Sequence, residues 1–255
     1  MPTQLIKHGP LACAAALIAL TISADLPACV QAQGSAAITP LLSPNRLGAK
    51  GAFTLGLQTS GEFGLQSPMR RAIVKLPPGL NLYIPTLRSC SAARLRARGP
   101  SGCPAQSRLG SGQGLVESRA GSQLVSEHID LSVFIGPPQN LAPTFLVLGE
   151  GFTPLQERIV LSGSVAESHA PYGEELVMNI PPIATLPLEP DATLVSLTLT
   201  VGANTRPVAR SANAVVMPSR CPTGGFPFAA EFTFADGSST SATAPAHCPA
   251  TKSTD

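Results

Sequence analysis

The sequence predicts an all-β protein: a mostly antiparallel β-sandwich of about ten or eleven strands with one short helix. The chain of 255 residues contains 26 Pro and 23 Gly, and only 13% of its residues are charged, against about 25% in an ordinary soluble domain. Apolar and polar residues alternate along several short segments, which Pro-rich or Gly-rich turns separate. Because a period of two gives a strand one buried face, and because Pro and Gly punctuate the chain so often, strands joined by turns are favoured over helices. We expect this β-sandwich domain to span residues 48–249.

Residues 1–32 have the features of a signal peptide. Lys7 precedes an apolar run at residues 11–22, and small residues at 30–32 match a signal-peptidase site. The run of about a dozen residues is shorter than the ~20 that span a membrane, so we expect cleavage after Ala32 and no transmembrane span in the mature chain. The predicted location is secreted or at the cell surface. Because Leu26-Pro27-Ala28-Cys29 resembles a lipoprotein cleavage site, a lipid anchor at Cys29 is the alternative.

The residues that flank the domain are polar or small. Residues 33–47 include Pro40 and Pro44 and are interpreted as a linker, and residues 250–255 as a polar tail.

Strand patterns are clearest at residues 128–135, 194–201 and 226–234. In the last of these, four Phe share one face, and Asp236-Gly237 predicts a tight hairpin turn with positive φ angles before the chain returns over residues 238–246. In the other two segments the following residues are predicted to face the core: Ile129, Leu131, Val133, Ile135, Val195, Leu197, Leu199 and Val201.

The helix is expected at residues 91–98, with Ser89 as its N-cap and Gly99-Pro100 as its end. Four cysteines follow the leader: Cys90, Cys103, Cys221 and Cys248. An even number in an exported chain predicts disulfides. Local pairs are favoured because the first two cysteines flank one short segment and the last two flank the predicted hairpin. Zinc binding is disfavoured because no two of the four are spaced as zinc ligands usually are.

Two groups of motifs resemble a known family. The first group is Leu76-Pro77-Pro78-Gly79-Leu80, Cys90-Ser91 and Cys103-Pro104, and the second is Cys221-Pro222, Asp236-Gly237 and Cys248-Pro249. In this layout the chain is similar to secreted, disulfide-bearing β-sandwich proteins of high-GC actinobacteria. Members often carry Gly-Asn-Pro after the Pro-Pro-Gly turn, whereas Asn81 and Pro85 are separated here. The resemblance implies an exported β domain and supplies no activity, cofactor or catalytic residue.

Chemical motifs are weak. The run Gly110-Ser111-Gly112-Gln113-Gly114 has Gly where the nucleophile of a Gly-x-Ser-x-Gly elbow stands, and is interpreted as a Gly-rich entry into an edge or bulged strand. His128 and Asp130 lie on one strand face with Glu127 nearby, but no third metal ligand is identifiable, so a polar strand face is the favoured interpretation. We expect no catalytic, metal or cofactor site.

The densest charge feature is the set Arg88, Arg94, Arg96 and Arg98, with Arg108 beyond. Guanidinium groups bind carboxylate and phosphate well, so this loop is the candidate contact surface. A net charge of +2 and the lack of Trp argue against a nucleic-acid groove.

The predicted function is therefore a non-enzymatic structural or interaction module of the cell envelope or the extracellular space. Its partner is expected to be a cell-wall polymer or another envelope protein. The alternatives are a module that binds an anionic polymer through the Arg-rich loop, and an exported hydrolase whose carboxylates or Ser–His pair converge in one cleft.

Overall fold

The computed structural model describes residues 34–61, 65–82, 88–152, 157–183, 185, 191–202 and 215–249. The predicted signal peptide, Cys29 and the predicted polar tail lie outside the described residues.

The prediction of a mostly antiparallel all-β fold with one short helix is confirmed. Thirteen strands and one α-helix, α1 (Ala92–Arg98), occur within the described ranges. The strands are β1 (Ser35–Ser43), β2 (Lys50–Ser60), β3 (Met69–Leu76), β4 (Asn81–Leu82), β5 (Arg108–Ala120), β6 (Gln123–Ile135), β7 (Thr144–Gly151), β8 (Arg158–Glu167), β9 (Glu174–Asn179), β10 (Thr193–Val201), β11 (Val215–Val216), β12 (Phe226–Phe234) and β13 (Ser239–Ala246).

Backbone hydrogen bonds join all these strands into one sheet, in the order β13-β12-β3-β9-β8-β7-β6-β5-β10-β2-β11-β4, with β1 also paired to β2. The sheet bends round so that β1 lies beside β13, although no backbone ladder joins the two in the described part of the chain. Its halves face each other across the core. The rings of Phe53 on β2 and Phe228 on β12 lie 6.5 Å apart, and these strands are not neighbours in the sheet. The two layers are thus parts of one continuous sheet.

Strand β12 shows the predicted alternation. Its four Phe side chains are buried and Glu231 is exposed. The hairpin to β13 is also confirmed, but only Gly237 has a positive φ, of 83°. The Asp236 carboxylate accepts hydrogen bonds from the hydroxyl and the backbone N–H of Ser238, at 2.6 and 2.9 Å, and these bonds hold the pKa of Asp236 below its usual value.

Residues 33–47, expected to be a linker, contain strand β1. Ile38 and Pro40 are buried while Ala37 and Thr39 are exposed, so the segment has the period of two that a half-buried strand requires. Pro40 is tolerated because β1 has a hydrogen-bonded neighbour on one side only. Small residues on both faces made this alternation hard to see in the sequence.

Strand β10 contains a register shift between Leu194 and Ser196 that the sequence did not reveal. The shift brings Leu194 onto the face that carries Leu197 and Leu199, and these three side chains pack against the core. Val195, predicted to face the core, does not belong to it. A bulge inserts one extra residue, so the inward and outward alternation of side chains before the bulge is opposite to the one after it.

Helix α1 covers the outer face of β7 and β8. Its N-cap is Ser91 rather than Ser89, because the Ser91 hydroxyl accepts a hydrogen bond from the Arg94 N–H at 3.3 Å. Leu95 is fully buried in a second, smaller core with Cys90, Phe134, Leu146, Leu148 and Val160. The helix ends at Gly99, whose φ is 61°.

Both predicted disulfides are confirmed. Cys90 and Cys103 join with a Cα–Cα distance of 5.4 Å and hold the two ends of the α1 segment together. Cys221 and Cys248 join with a Cα–Cα distance of 5.9 Å beside the open end of the β12–β13 hairpin.

Candidate functional site

The interior of the curved sheet contains an apolar cavity of about 160 Å³. Its walls come from the inward faces of strands on both sides of the core and include Leu57, Phe145 and Met178. Leu194, Leu197 and Leu199 also line it, and they are only half-buried although they face the core. An engineered apolar cavity of about 150 Å³ stays dry and takes up benzene, so this space suits an apolar group of similar size.

A second cavity of about 90 Å³ adjoins the first. The two lie side by side, and Val116, Ile129, Leu131 and Leu161 line both. The smaller cavity differs from the larger in having two carboxylic side chains in its lining, Glu127 and Glu157. We call the two together the inner cavity.

Gly149 contributes to the empty space. The alternation of β7 directs Val147, Gly149 and Gly151 towards the inner cavity. A Cβ atom at Gly149 would lie 3.7 Å from Leu131 Cδ2 and 4.0 Å from Ile129 Cδ1, which are ordinary contacts, and its φ is not in the left-handed region. Neither crowding nor backbone conformation therefore requires glycine here. A glycine of this kind within a strand leaves room for close approach of another group.

Glu127 is the polar side chain that stands out in this lining. It lies on β6 on the same face as Ile129 and Leu131, because residues two apart point the same way. Glu127 is 6% exposed, and its Oε1 atom is buried without a hydrogen-bond partner among the described residues. A buried polar atom without a partner costs about 1–3 kcal/mol, which a donor from a bound molecule would offset.

The structure separates Glu127 from the residues with which the sequence grouped it. His128 and Asp130 lie on the outer face of β6 and are exposed, whereas Glu127 faces inward. In the parts of the chain that the structure describes, no three His, Cys, Asp or Glu side chains are close enough to hold a metal ion. The sequence did indicate the inward direction of Glu127, because Glu127 lies two residues before Ile129 and continues the alternation of Ile129 and Leu131.

Four of the predicted binding residues are exposed and lie on α1 or shortly before it, and we call them together the Arg surface: Arg88, Arg94, Arg96 and Arg98. Within the described residues, no acidic side chain forms an ion pair with any of the four. Arg108 does not belong to this surface. It is half-buried on β5 and donates a hydrogen bond to the Ser132 hydroxyl at 3.2 Å.

Sequence reasoning missed Arg158, which joins the Arg surface to the sheet. Its Nε donates to Glu150 Oε1 at 2.9 Å, and its Nη1 donates to the carbonyl oxygen of Arg96 near the end of α1 at 3.4 Å. Glu150 balances the charge of Arg158, so this guanidinium supports the helix rather than adding a free cation.

The Gly-rich run at residues 110–114 has a structural role. It lies in β5, which has neighbours on both sides, and a register shift between Arg108 and Gly110 shows that the bulged strand is the correct one of the two expected alternatives. A Cβ atom at Gly110 or Gly112 would overlap a carbonyl oxygen of β10. Glycine is needed there because the two backbones approach closely.

No family model, curated protein or solved structure matches the chain. The resemblance to secreted actinobacterial proteins therefore stays a prediction. Among the helical residues that the structure describes, no helix is long and apolar enough to cross a membrane.

Proposed function

We propose that this protein is an exported, non-enzymatic binding protein that holds a small apolar molecule, or the apolar part of a larger one, in its inner cavity. The observation that carries the proposal is the unfilled interior of the sheet, where inward-facing leucines remain half-buried. The two disulfides support export, because such bonds persist in oxidising compartments.

The physical chemistry of the cavity favours an apolar guest. Protein interiors are normally packed about as densely as organic crystals, so an unfilled apolar space loses dispersion contacts and hydrophobic stabilisation. A guest that fills the space recovers about 25 cal/mol for each Å² of apolar surface that it removes from water. Binding sites for small molecules commonly combine such apolar walls with a few polar groups.

Glu127 and Glu157 line one cavity, and two carboxylates in one cleft are what an exported hydrolase would need. Apart from Thr185, the other described side chains in that lining are apolar or are glycine positions. The hydroxyl groups of a glycan would be left without hydrogen-bond partners there, at a high cost. Binding therefore suits the site better than hydrolysis.

The test uses toluene, an apolar probe close to benzene in size. Toluene is titrated into the purified protein, and shifts of methyl resonances are followed by NMR. We expect saturable shifts of methyl groups that line the inner cavity, such as those of Leu131, Met178 and Leu197. Ala192→Leu should abolish these shifts, because Ala192 lines both parts of the inner cavity and a leucine side chain there would fill the space. Ser162→Leu is the matched control, since Ser162 is exposed on β8.

Two results would contradict this function. One is the absence of saturable shifts in the unmodified protein. The other is toluene binding that survives in Ala192→Leu. Turnover of a glycan or an ester that is lost in Glu127→Gln would overturn the non-enzymatic part of the proposal.

A second function is favoured by the Arg surface, whose four guanidiniums are exposed without acidic partners among the described residues. We propose that this surface contacts an anionic cell-wall polymer. Retention on such a polymer should weaken with salt, because screening reduces attraction between exposed charges. It should fall further in the triple variant Arg94→Ala, Arg96→Ala and Arg98→Ala. Arg119→Ala, an exposed charge on β5, is the control, and unchanged retention in the triple variant would exclude the Arg surface.

A further inference from the structure

We propose that the molecule bound in the inner cavity carries an N–H or O–H group at one end of an apolar body, and that this group donates a hydrogen bond to Glu127. This inference rests on the proposed function and specifies the chemical class of its ligand. The ligand is thus an amine or an alcohol, and not an acid.

The first argument is the state of Glu127 itself. The residue is more than nine-tenths buried, and Oε1 has no hydrogen-bond partner in the part of the chain that the structure describes. The great majority of buried polar side-chain atoms have one, so an exception calls for a specific explanation. A carboxylate oxygen only accepts hydrogen bonds, and the complementary group on a ligand is therefore a donor.

The second argument is the position of Glu127 in the cavity. The larger part of the inner cavity has apolar walls, and Glu127 lines the smaller part that adjoins it. The residue opposite Glu127 on β5 is Val116, which lines both parts. A molecule whose apolar body lies in the larger part and reaches past Val116 can therefore place a polar head beside Glu127.

The third argument is charge. Both ionisable side chains in the described lining, Glu127 and Glu157, are acids, and no Lys, Arg or His belongs to the described lining of either part. A ligand carboxylate or phosphate would place its own acceptor oxygens beside those of two acidic side chains, of which Glu127 is buried and Glu157 is exposed. An ammonium or hydroxyl group meets a favourable partner.

The experiment compares four probes that share one ring: toluene, benzyl alcohol, benzylamine and benzoate at pH 7. Affinities are measured by NMR titration on the unmodified protein and on Glu127→Leu, Glu127→Gln and the control Glu117→Gln. Glu117 suits as a control because it lies on neighbouring β5, where its carboxylate accepts a hydrogen bond from Ser126 at 3.0 Å and is exposed.

We expect benzylamine or benzyl alcohol to bind about tenfold more tightly than toluene, since a hydrogen bond to a charged group contributes about that factor. Benzoate should bind most weakly. Glu127→Leu should remove the preference for donors and leave toluene bound, while Glu117→Gln changes nothing. Glu127→Gln keeps a carbonyl acceptor but cannot ionise, so it should retain benzyl alcohol and lose about tenfold for benzylamine, which is an ammonium ion at pH 7.

Glu127→Leu should also be at least as stable to heat as the unmodified protein, because replacing an unpartnered buried polar group with an apolar one removes a cost. If this variant does not fold, Glu127→Gln decides: equal loss of toluene and of both donors would overturn the inference. Equal affinity of the unmodified protein for toluene and for the two donors would also overturn the inference. The proposed function would still stand in that case, because toluene binds. Failure of toluene to bind would instead remove the proposed function.

Discussion

Filling the empty space beside Gly149 should stabilise the protein. In Gly149→Ala the new methyl group would lie 3.7 Å from Leu131 Cδ2 and 4.0 Å from Ile129 Cδ1, within ordinary contact distance. Burial of one such group contributes about 0.8 kcal/mol. Replacing glycine with alanine inside a strand adds about 0.5–1 kcal/mol, because the unfolded chain loses less conformational freedom on folding. The expected gain in free energy of unfolding is about 1–2 kcal/mol.

This gain corresponds to a rise in melting temperature of about 3–7 °C for a domain of this size. It is measured by thermal and urea unfolding, and the urea m-value should stay constant because the fold does not change. Gly163→Ala is the matched control. Gly163 faces inward on neighbouring β8, but a Cβ atom there would overlap the ring of Phe145, so this variant should lose about 1–3 kcal/mol. If Gly149→Ala loses as much stability as Gly163→Ala, there is no empty space beside Gly149 and the reasoning is refuted.

Three further predictions concern other parts of the fold. Burial raises the pKa of Glu174, so ionising this side chain lowers the stability of the fold as the pH rises above the ordinary Glu pKa of about 4.3. Glu174→Gln should therefore have a higher melting temperature than the unmodified protein at pH 7. The difference in melting temperature should vanish near pH 4. Leu95→Ala should lose about 2–5 kcal/mol in urea unfolding, because Leu95 is fully buried under α1, and a loss below about 1 kcal/mol would show that α1 is not docked. Replacing Cys221 and Cys248 with Ser should lower the free energy of unfolding by about 3–4 kcal/mol, according to the chain-entropy model. This prediction is contradicted if a reductant leaves the melting temperature of the unmodified protein unchanged.

The sequence revealed those features that depend on neighbours along the chain. The Phe face of β12, the turn at Gly237 and the two disulfides all follow from spacing within about 30 residues, and each is confirmed. The N-cap was misplaced by two residues because Ser89 and Ser91 have the same side chain and only the hydrogen bond to Arg94 distinguishes them.

The inner cavity could not be predicted because its walls come from strands far apart in sequence. Leu57 and Met178, for example, line the same space although no local pattern relates them. The register shift in β10 has the same origin, since it is defined by pairing with β5. Glu127 is the exception, because the period of two predicts that its side chain points inward. Only the presence of a cavity beside it could not be predicted from the sequence.

The side-by-side position of β1 and β13 has a consequence for aggregation. An outer strand with unpaired N–H and C=O groups is a template for adding strands from other molecules, the first step of aggregation. Here each outer strand shields the other, and each contains a proline, Pro40 or Pro245, that lacks the N–H group a growing ladder would need. The remaining branch of the sheet ends in β4, which is two residues long and offers almost no template. The described edges of this sheet therefore offer little template for strand addition, although no helix covers them.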